Sequence, residues 1–245
     1  MFAFLKKNFQ PVFPKGFVDC HCHILPGIDD GAKNLKEAID LILKLKDTGI
    51  SKFIATPHVM EGVWENSSKT ILNSHQTLIA GLKEHHITNV EISVAAEYMI
   101  DTNFINLIEK KDILPLAGNF VLVEMSYFNM PVYMYDVLFK MQLAGYKPVL
   151  AHPERYNFLH TNYNEYKKLK DAGCLFQLNL LSLSDYYGKK TKEIASKLLK
   201  DNFIDLVGTD THHQKHLTYF ENINFKKYQK ILDPILENSV ALTTT

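Results

Sequence analysis

Residues 17–49 read FVDCHCHILPGIDDGAKNLKEAIDLILKLKDTG, and they hold one complete strand–loop–helix unit. Phe17–His21 is a short, near-continuously apolar run, as expected of a strand buried on both faces. Asn34–Gly49 follows as a helix. It has an asparagine cap, a glutamate three residues on, apolar residues at spacings of three and four, and a glycine stop. Between them lies a polar stretch with two histidines around a cysteine and two adjacent aspartates.

The unit recurs along the chain. Residues 52–57 (KFIATP), 90–97 (VEISVAAE), 120–125 (FVLVEM), 147–153 (KPVLAHP), 174–180 (CLFQLNL) and 203–210 (FIDLVGTD) read as six further buried strands. Helical patterns stand between them at 70–86, 104–111, 132–145, 163–173 and 192–202. A last helix near residues 226–239 is expected to break at Pro234. No Pro/Ser/Gly-rich linker, repeat or low-complexity tract divides the chain. Seven strand–helix alternations predict an α/β fold with a parallel sheet in one domain, residues 17–245. A closed or nearly closed TIM-like barrel is the first expectation, and an open doubly wound sheet the alternative. Both put function at the carboxyl ends of the strands.

Composition narrows the function classes. Lys+Arg and Asp+Glu are 27 each, so the formal net charge is zero, which argues against a broad grip on nucleic acid. Three cysteines, Cys20, Cys22 and Cys174, do not make a disulfide framework, and a reducing cytoplasm is the expected location. No apolar run reaches the roughly 18–20 residues needed to cross a bilayer, so membrane insertion is not expected. Residues 1–16 carry lysines after a very short apolar start and no small-residue cleavage site. They read as an arm that packs on the body or frays, rather than as a secretion signal. Among 26 lysines stands a single arginine, Arg155. A planar, bidentate guanidinium suits phosphate, and lysine does not replace it there.

Polar residues fall at one end of the predicted strands. His21 and His23 end the first, His58 the second, Glu97 the third, Glu124 the fourth and His152 the fifth. Asp210 and His212 follow the seventh. Scattered core histidines would not keep this phase. His21 and His23 are two apart, so on a strand both point to one face. Cys20 and Cys22 alternate with them and are expected to face away as packing residues. Imidazole mixed with carboxylate suits zinc, manganese or iron. Eight or nine such donors exceed one tetrahedral site and predict two or three metals bridged by Glu97 or Glu124. Asp29 and Asp30 either cap the following helix or supply a ligand. Asp19 either supports an imidazole or ends a ladder. Glu154 divides evenly between a structural role and a site role. His75, His85, His86, His160, His213 and His216 lie outside the pattern and read as structural. Trp64, Tyr98, Tyr127, Phe128 and Tyr156 follow strand ends, where they line a pocket or cover the rim.

The segments DCHCHILPGIDDGAKN, ATPH, AAEY, VEMSY, AHPERY, QLNLLSL and GTDTH resemble signature segments of the PHP (polymerase and histidinol phosphatase) superfamily. The match is nearest to the manganese-dependent bacterial tyrosine-protein phosphatases of capsule and exopolysaccharide loci. The resemblance runs in order from residue 17 to about 213. It implies a distorted (β/α)7 barrel with a trinuclear centre, Mn²⁺ foremost. His21, His23, Glu97 and Asp210 would hold one metal, and Glu97, Glu124 and His152 a second. His58, His212 and an aspartate of the Asp29/Asp30 pair, with Asp30 favoured, would hold a third. It further implies catalytic roles for His152, Asp210 and Arg155, with Arg155 binding the substrate phosphate and a metal-bound hydroxide attacking phosphorus. The implied substrate is a phosphotyrosine protein, the tyrosine-rich tail of a membrane-associated kinase governing polysaccharide export. Three other readings share the residues: a small-molecule phosphatase of the histidinol-phosphate kind, a phosphodiesterase or nuclease module, and a metal-stabilised scaffold. Two departures stand out. The arm precedes the motif, which leaves assembly into a homo-oligomer open, and GTDTHHQ replaces the more usual Ser-Asp-x-His.

Overall fold

The computed structural model describes Phe13 and residues 16–241. The arm expected at 1–16 therefore lies almost wholly outside the described residues. Phe13 itself is buried, stacked on Phe17 at 4.7 Å between ring centroids and edge-on to Phe225 at 5.9 Å.

Nine strands and nine helices alternate among the described residues. In order they are β1 (Val18–Cys22), α1 (Leu35–Asp47), β2 (Lys52–Ala55), β3 (His58–Val59), α2 (Ser68–Glu84), β4 (Glu91–Val94), β5 (Glu97–Met99), α3 (Thr102–Lys110) and β6 (Phe120–Glu124). Then come α4 (Met134–Leu143), β7 (Lys147–Ala151), α5 (Asn157–His160), α6 (Asn164–Asp171), β8 (Leu175–Asn179), α7 (Lys189–Lys200), β9 (Leu206–Gly208), α8 (Gln214–Phe220) and α9 (Phe225–Ala241). All strand pairings are parallel, in the orders β1-β2-β4 and β3-β5-β6-β7-β8-β9. The result is a curled parallel sheet wrapped by helices, a single-domain α/β fold.

The nine strands correspond to the seven predicted ones. Two predicted strands are each interrupted. Pro57, which has no N–H for a ladder, separates β2 from β3. Ala95 and Ala96 separate β4 from β5. The pairing persists across both breaks, because Ala95 donates to the Ala55 carbonyl and Glu97 to that of Pro57, at 2.9 and 3.0 Å. β1 is laced to the far end of the sheet. Asp210 N–H donates to the His21 carbonyl at 2.7 Å and His23 N–H to that of Thr211 at 3.0 Å.

Three expectations need correction. β4 is exposed or half-buried at every residue, not a buried strand. The chain before β6 turns on itself, with Leu116 and Phe120 hydrogen-bonded across Ala117, and leaves the outer edge of β4 unpaired. α9 runs through Pro234 without ending, because Leu232, Ile235 and Leu236 are buried against the body on both sides of it. The third concerns β1. Asp19 pairs with Phe53 and Cys22 with Ala55, so β1 carries one extra residue between two partners. Such a bulge reverses which face the following side chains take. Val18 and Cys20 accordingly join an inner apolar cluster with Ile54, Ala95, Leu122, Val149, Ala151 and Leu206. Cys22 joins the larger cluster beneath the helices. The two cysteines therefore do not share a face.

α1 forms as its sequence predicts. Asn34 accepts from Glu37 N–H at 3.0 Å, and Glu37 reaches back to Lys33 N–H at 3.2 Å. The aspartates of the preceding loop are thereby left for other work. No helix among the described residues is long and apolar enough to cross a membrane.

Candidate metal centre

The nine predicted ligands lie together at the carboxyl ends of the strands. Four overlapping donor groups have their ligand atoms within 4.8 Å of one another: His21/His23/Glu97, His21/His152/Asp210, His58/Glu97/Glu124, and His23/Asp30/His58/His212. Asp210 Oδ1 also stands 3.4 Å from His21 Nε2 and 3.5 Å from His23 Nε2. The grouping differs from the one the resemblance implies: His152 falls with His21 and Asp210, and His23 also falls with Asp30, His58 and His212. His58 Nδ1, rather than His152, stands with Glu97 and Glu124, at 3.1 and 2.9 Å. His152 Nε2 meets Glu97 Oε1 at 3.0 Å from the other side.

The imidazoles are oriented from behind. The Gln177 amide oxygen takes the His21 Nδ1 proton at 2.7 Å, and its own amide N–H is fixed on the Leu178 carbonyl. Asp29 Oδ2 accepts from His23 Nδ1 at 2.8 Å and from His58 N–H at 3.2 Å, while Gly31 N–H donates to the other oxygen, Oδ1, at 2.9 Å. The Asp210 carbonyl takes the His212 Nδ1 proton at 3.0 Å. In each case the Nε2 lone pair is turned toward the centre, which is how metal-binding histidines are set. Asp29 thus supports a histidine and does not cap α1. Asp30, largely exposed, is 3.5 and 3.4 Å from the Nε2 atoms of His58 and His212. Asp19 touches no imidazole. Its carboxylate accepts from Thr209 N–H and Oγ1 and ties β1 to the segment after β9.

Two glycines make this convergence sterically feasible. A Cβ on Gly208 would lie 2.6 Å from His21 Cβ, and one on Gly31 would lie 2.1 Å from the His23 carbonyl oxygen. His152 and Asp210 adopt φ of 35° and 50°, strained for residues with a side chain.

Opposed charges set the electrostatics of the site. Burial favours the neutral His21 ring, but the Glu97 and Asp210 carboxylates outweigh it and raise its pKa. Burial likewise opposes the His58 charge, yet Glu97 leads a net push up to about 9. Glu97 and Asp210 resist burial through their histidine neighbours, His21 foremost, and sit well below the carboxylate range. Burial and the nearby Arg155 lower the pKa of His152. His21 Nε2 and His23 Nε2 face each other at 3.2 Å. His58 Nδ1 and Glu124 Oε1 are buried without a hydrogen bond although only 2.9 Å apart. Donor atoms aimed at a common third atom have this appearance. Buried polar groups otherwise find partners. The donor set, nitrogen and carboxylate oxygen in overlapping groups, fits a divalent-metal centre.

Arg155 joins the centre from the turn after β7. Its Nη1 donates to Asp210 Oδ2 at 2.7 Å, and its guanidinium lies 4.3 Å from the Tyr187 ring centroid and 4.9 Å from that of Tyr127. Asn179 Nδ2 donates to the same Asp210 oxygen at 2.7 Å. Arg155, the clustered donors Asp30, His58, Glu124, His152, Asp210 and His212, and the aromatics Trp64, Tyr127 and Phe128 line one cavity of about 580 Å³. Tyr98 and Tyr156 do not reach it. Their rings are buried and their hydroxyls accept from the N–H groups of Leu114 and Met125. Glu154 is structural, accepting from Asn179 N–H and Ser182 Oγ, and burial pushes its carboxyl up to about 7. His216 supports the centre indirectly, accepting from His212 N–H and meeting the Tyr186 hydroxyl. Cys20 and Cys22 are free and buried, and burial pushes both thiols up. Neither is a poised nucleophile.

Gln177, Asn179, Tyr187, Gly31 and Gly208 were not among the residues the sequence pattern assigns. The only signals for them were two polar residues inside an otherwise apolar strand and two glycines beside the motif ends.

Fold and site together define a class: α/β proteins that gather histidines and carboxylates at the strand ends for divalent metal. The chain belongs to the capsular polysaccharide synthesis CpsB/CapC family, whose model matches residues 17–220. It is 32% identical over 204 residues to the tyrosine-protein phosphatase YwqE of Bacillus subtilis (strain 168), covering 81% of this chain and 78% of that one. It is 27% identical over 202 residues to the tyrosine-protein phosphatase CpsB of Streptococcus pneumoniae, covering 80% and 83%. Its fold superimposes with a TM-score of 0.79, at 28% identity and 93% and 91% coverage, on a crystal structure from work on YwqE and CpsB, described as unique metal-dependent tyrosine phosphatases.

Proposed function

We propose that this protein is a metal-dependent protein-tyrosine phosphatase of a polysaccharide locus, acting on phosphotyrosine of a cognate membrane-associated kinase from the cytoplasm. Its fold is read as a distorted (β/α)7 barrel, supported by seven strand positions and by the hydrogen bonds from β1 to the segment after β9. The observation that carries the functional reading is one cavity that joins the histidine–carboxylate cluster to the chain's sole arginine and to three aromatic side chains.

His21, His23, Asp30, His58, Glu97, Glu124, His152, Asp210 and His212 would hold two or three divalent cations, with Mn²⁺ first in expectation. When bound, these cations supply Lewis-acid polarisation of a phosphoryl oxygen and acidify water toward neutral pKa. The chain's own residues do the rest. Arg155 spends one N–H on Asp210 and keeps four others for phosphate oxygens, in a fork that lysine does not offer. Two tyrosine rings hold that fork in place. Trp64, Tyr127 and Phe128 present apolar faces to a phenyl ring and crowd water from the reacting phosphate. Gln177 and Asp29 keep the His21 and His23 protons on Nδ1, so both rings stay ligands.

The test is hydrolysis of a phosphotyrosyl peptide by metal-stripped protein, with and without Mn²⁺, beside histidinol phosphate and a phosphodiester. Peptide turnover restored by Mn²⁺ is expected. Turnover of histidinol phosphate alone would replace the reading with a small-molecule phosphatase. Metal binding without any turnover would replace it with a scaffold.

A further inference from the structure

Ten large apolar side chains are exposed among the described residues, and six of them lie between Tyr127 and Leu143. Phe128 is 92% exposed and Val132 97%, on the loop that leads from β6 into α4. Phe139 at 60% and Leu143 at 71% continue along α4, with Tyr135 one turn before Phe139. Helix α4 buries its other face through Met134, Val137, Leu138 and Met141. Its outer side also carries apolar side chains: Tyr135 donates its hydroxyl to Glu165 Oε1 at 2.5 Å, while Phe139 and Leu143 stay largely exposed. That outer face also carries Asp136 and Lys140, the latter paired with Glu109 at 3.5 Å, yet Phe139 and Leu143 stand in water on a face that a surface helix ordinarily reserves for polar residues. Exposed apolar side chains grouped in this way mark an interaction site.

The patch begins inside the catalytic cavity. Tyr127 and Phe128 line it beside Arg155 and His152, and Tyr127 stacks on His152 with centroids 5.8 Å apart. From Tyr135 to Leu143 the stripe extends about 12 Å along the helix, the reach of about four residues of extended chain. A phosphotyrosine whose phosphate met Arg155, and whose chain left the cavity past Phe128, would have this stripe next to it along residues 128–143.

We infer that Phe128, Val132, Tyr135, Phe139 and Leu143 form the docking surface for an apolar segment of the substrate protein adjoining its phosphotyrosine. The inference rests on the phosphatase reading above and adds a sequence preference to it. Continuity with the cavity favours a substrate over a second copy of the chain, because a copy seated on Phe128 would cover the entrance.

The experiment compares three substrates on the Mn²⁺-loaded protein: an aryl phosphate, a phosphotyrosyl peptide with leucine and phenylalanine in its flanks, and the same peptide with serine there. The variant is Phe139→Ser with Leu143→Ser, neither of which lines the cavity. Expected are a KM about tenfold lower for the apolar peptide than for the serine peptide, loss of that difference in the variant, and unchanged kcat and KM for the aryl phosphate. Equal KM for the two peptides in the unaltered protein overturns the inference. So does a variant whose solution mass falls while peptide KM stays constant, which would make the stripe a contact between copies. If no substrate turns over, the activity reading fails instead. Fluorescence anisotropy of the two labelled peptides, with and without the two substitutions, then decides the surface alone. Equal affinities would overturn it.

Discussion

The strands of this protein have two ends with opposite chemistry. At the amino end Val18, Cys20, Ile54, Leu122, Val149 and Leu206 close an apolar floor. One to four residues further along the chain from these, or from Ala95 of the same floor, come His21, His58, Glu97, Glu124, His152 and Asp210, packed donor against donor. Strain follows the same division. Among the described residues, five other than glycine have positive φ. His86, Lys111 and Asn202 do so where α2, α3 and α7 end, a routine use of that conformation. His152 and Asp210 are the other two, and both stand in the centre. The floor is what an unassisted chain packs. The upper layer holds together only because the floor and the helices fix its backbone, and because a cation would neutralise what it gathers.

The comparison is broken most severely by removing the carboxylate proposed as a shared ligand. Glu97 faces His21, His23, His58 and His152 at 3.0–3.4 Å. Glu97→Ala is expected to lower phosphotyrosyl-peptide turnover by about three orders of magnitude, on the scale of losing a principal electrostatic group. It should also lower the metal content measured by plasma emission spectroscopy. Full occupancy and activity would refute the bridging role. On the floor, Leu122→Ala should cost about 2–5 kcal/mol of unfolding free energy in urea. Its kcat, measured where the protein is folded, should be unchanged, so the two layers separate stability from chemistry.

Arg155→Lys should raise peptide KM about tenfold at constant metal content, since a point charge replaces a fork. An unaltered KM would remove Arg155 from substrate binding.

The pH dependence of the metal-stripped protein sharpens the contrast further. His58 is raised to about 9 against an unfolded value of 6.5, so its contribution is fully present below pH 6.5 and is lost as pH climbs through 9. His21 shifts in the same direction. Scanning calorimetry should show Tm falling between pH 6.5 and 9 without metal. With Mn²⁺ bound the fall should vanish or reverse, because ligation needs neutral imidazoles. The smallest effect belongs to the thiols. Cys22→Ser should keep peptide turnover within about twofold, given a buried sulfur directed at the Ile54 carbonyl.

The amino-acid sequence by itself determined the alternation of strands and helices, the phase that brings nine donors to one end, and the special standing of Arg155. Those are one-dimensional properties: periodicity, composition and spacing. Strand direction makes every carboxyl end the same end, so the convergence needs no knowledge of distances. The tertiary structure alone decided the rest. The bulge in β1 depends on its register against β2, which no local pattern encodes, and it is why Cys20 and Cys22 part company. Asp29 became a support for His23 and Asp30 a neighbour of His58 and His212 because the loop folds back over Gly31. The passage of α9 through Pro234 was set by burial on both sides of it, against its local propensity. Gln177 and Tyr187 gained their roles from contacts 156 residues and a strand away, formed only when the chain closes on itself.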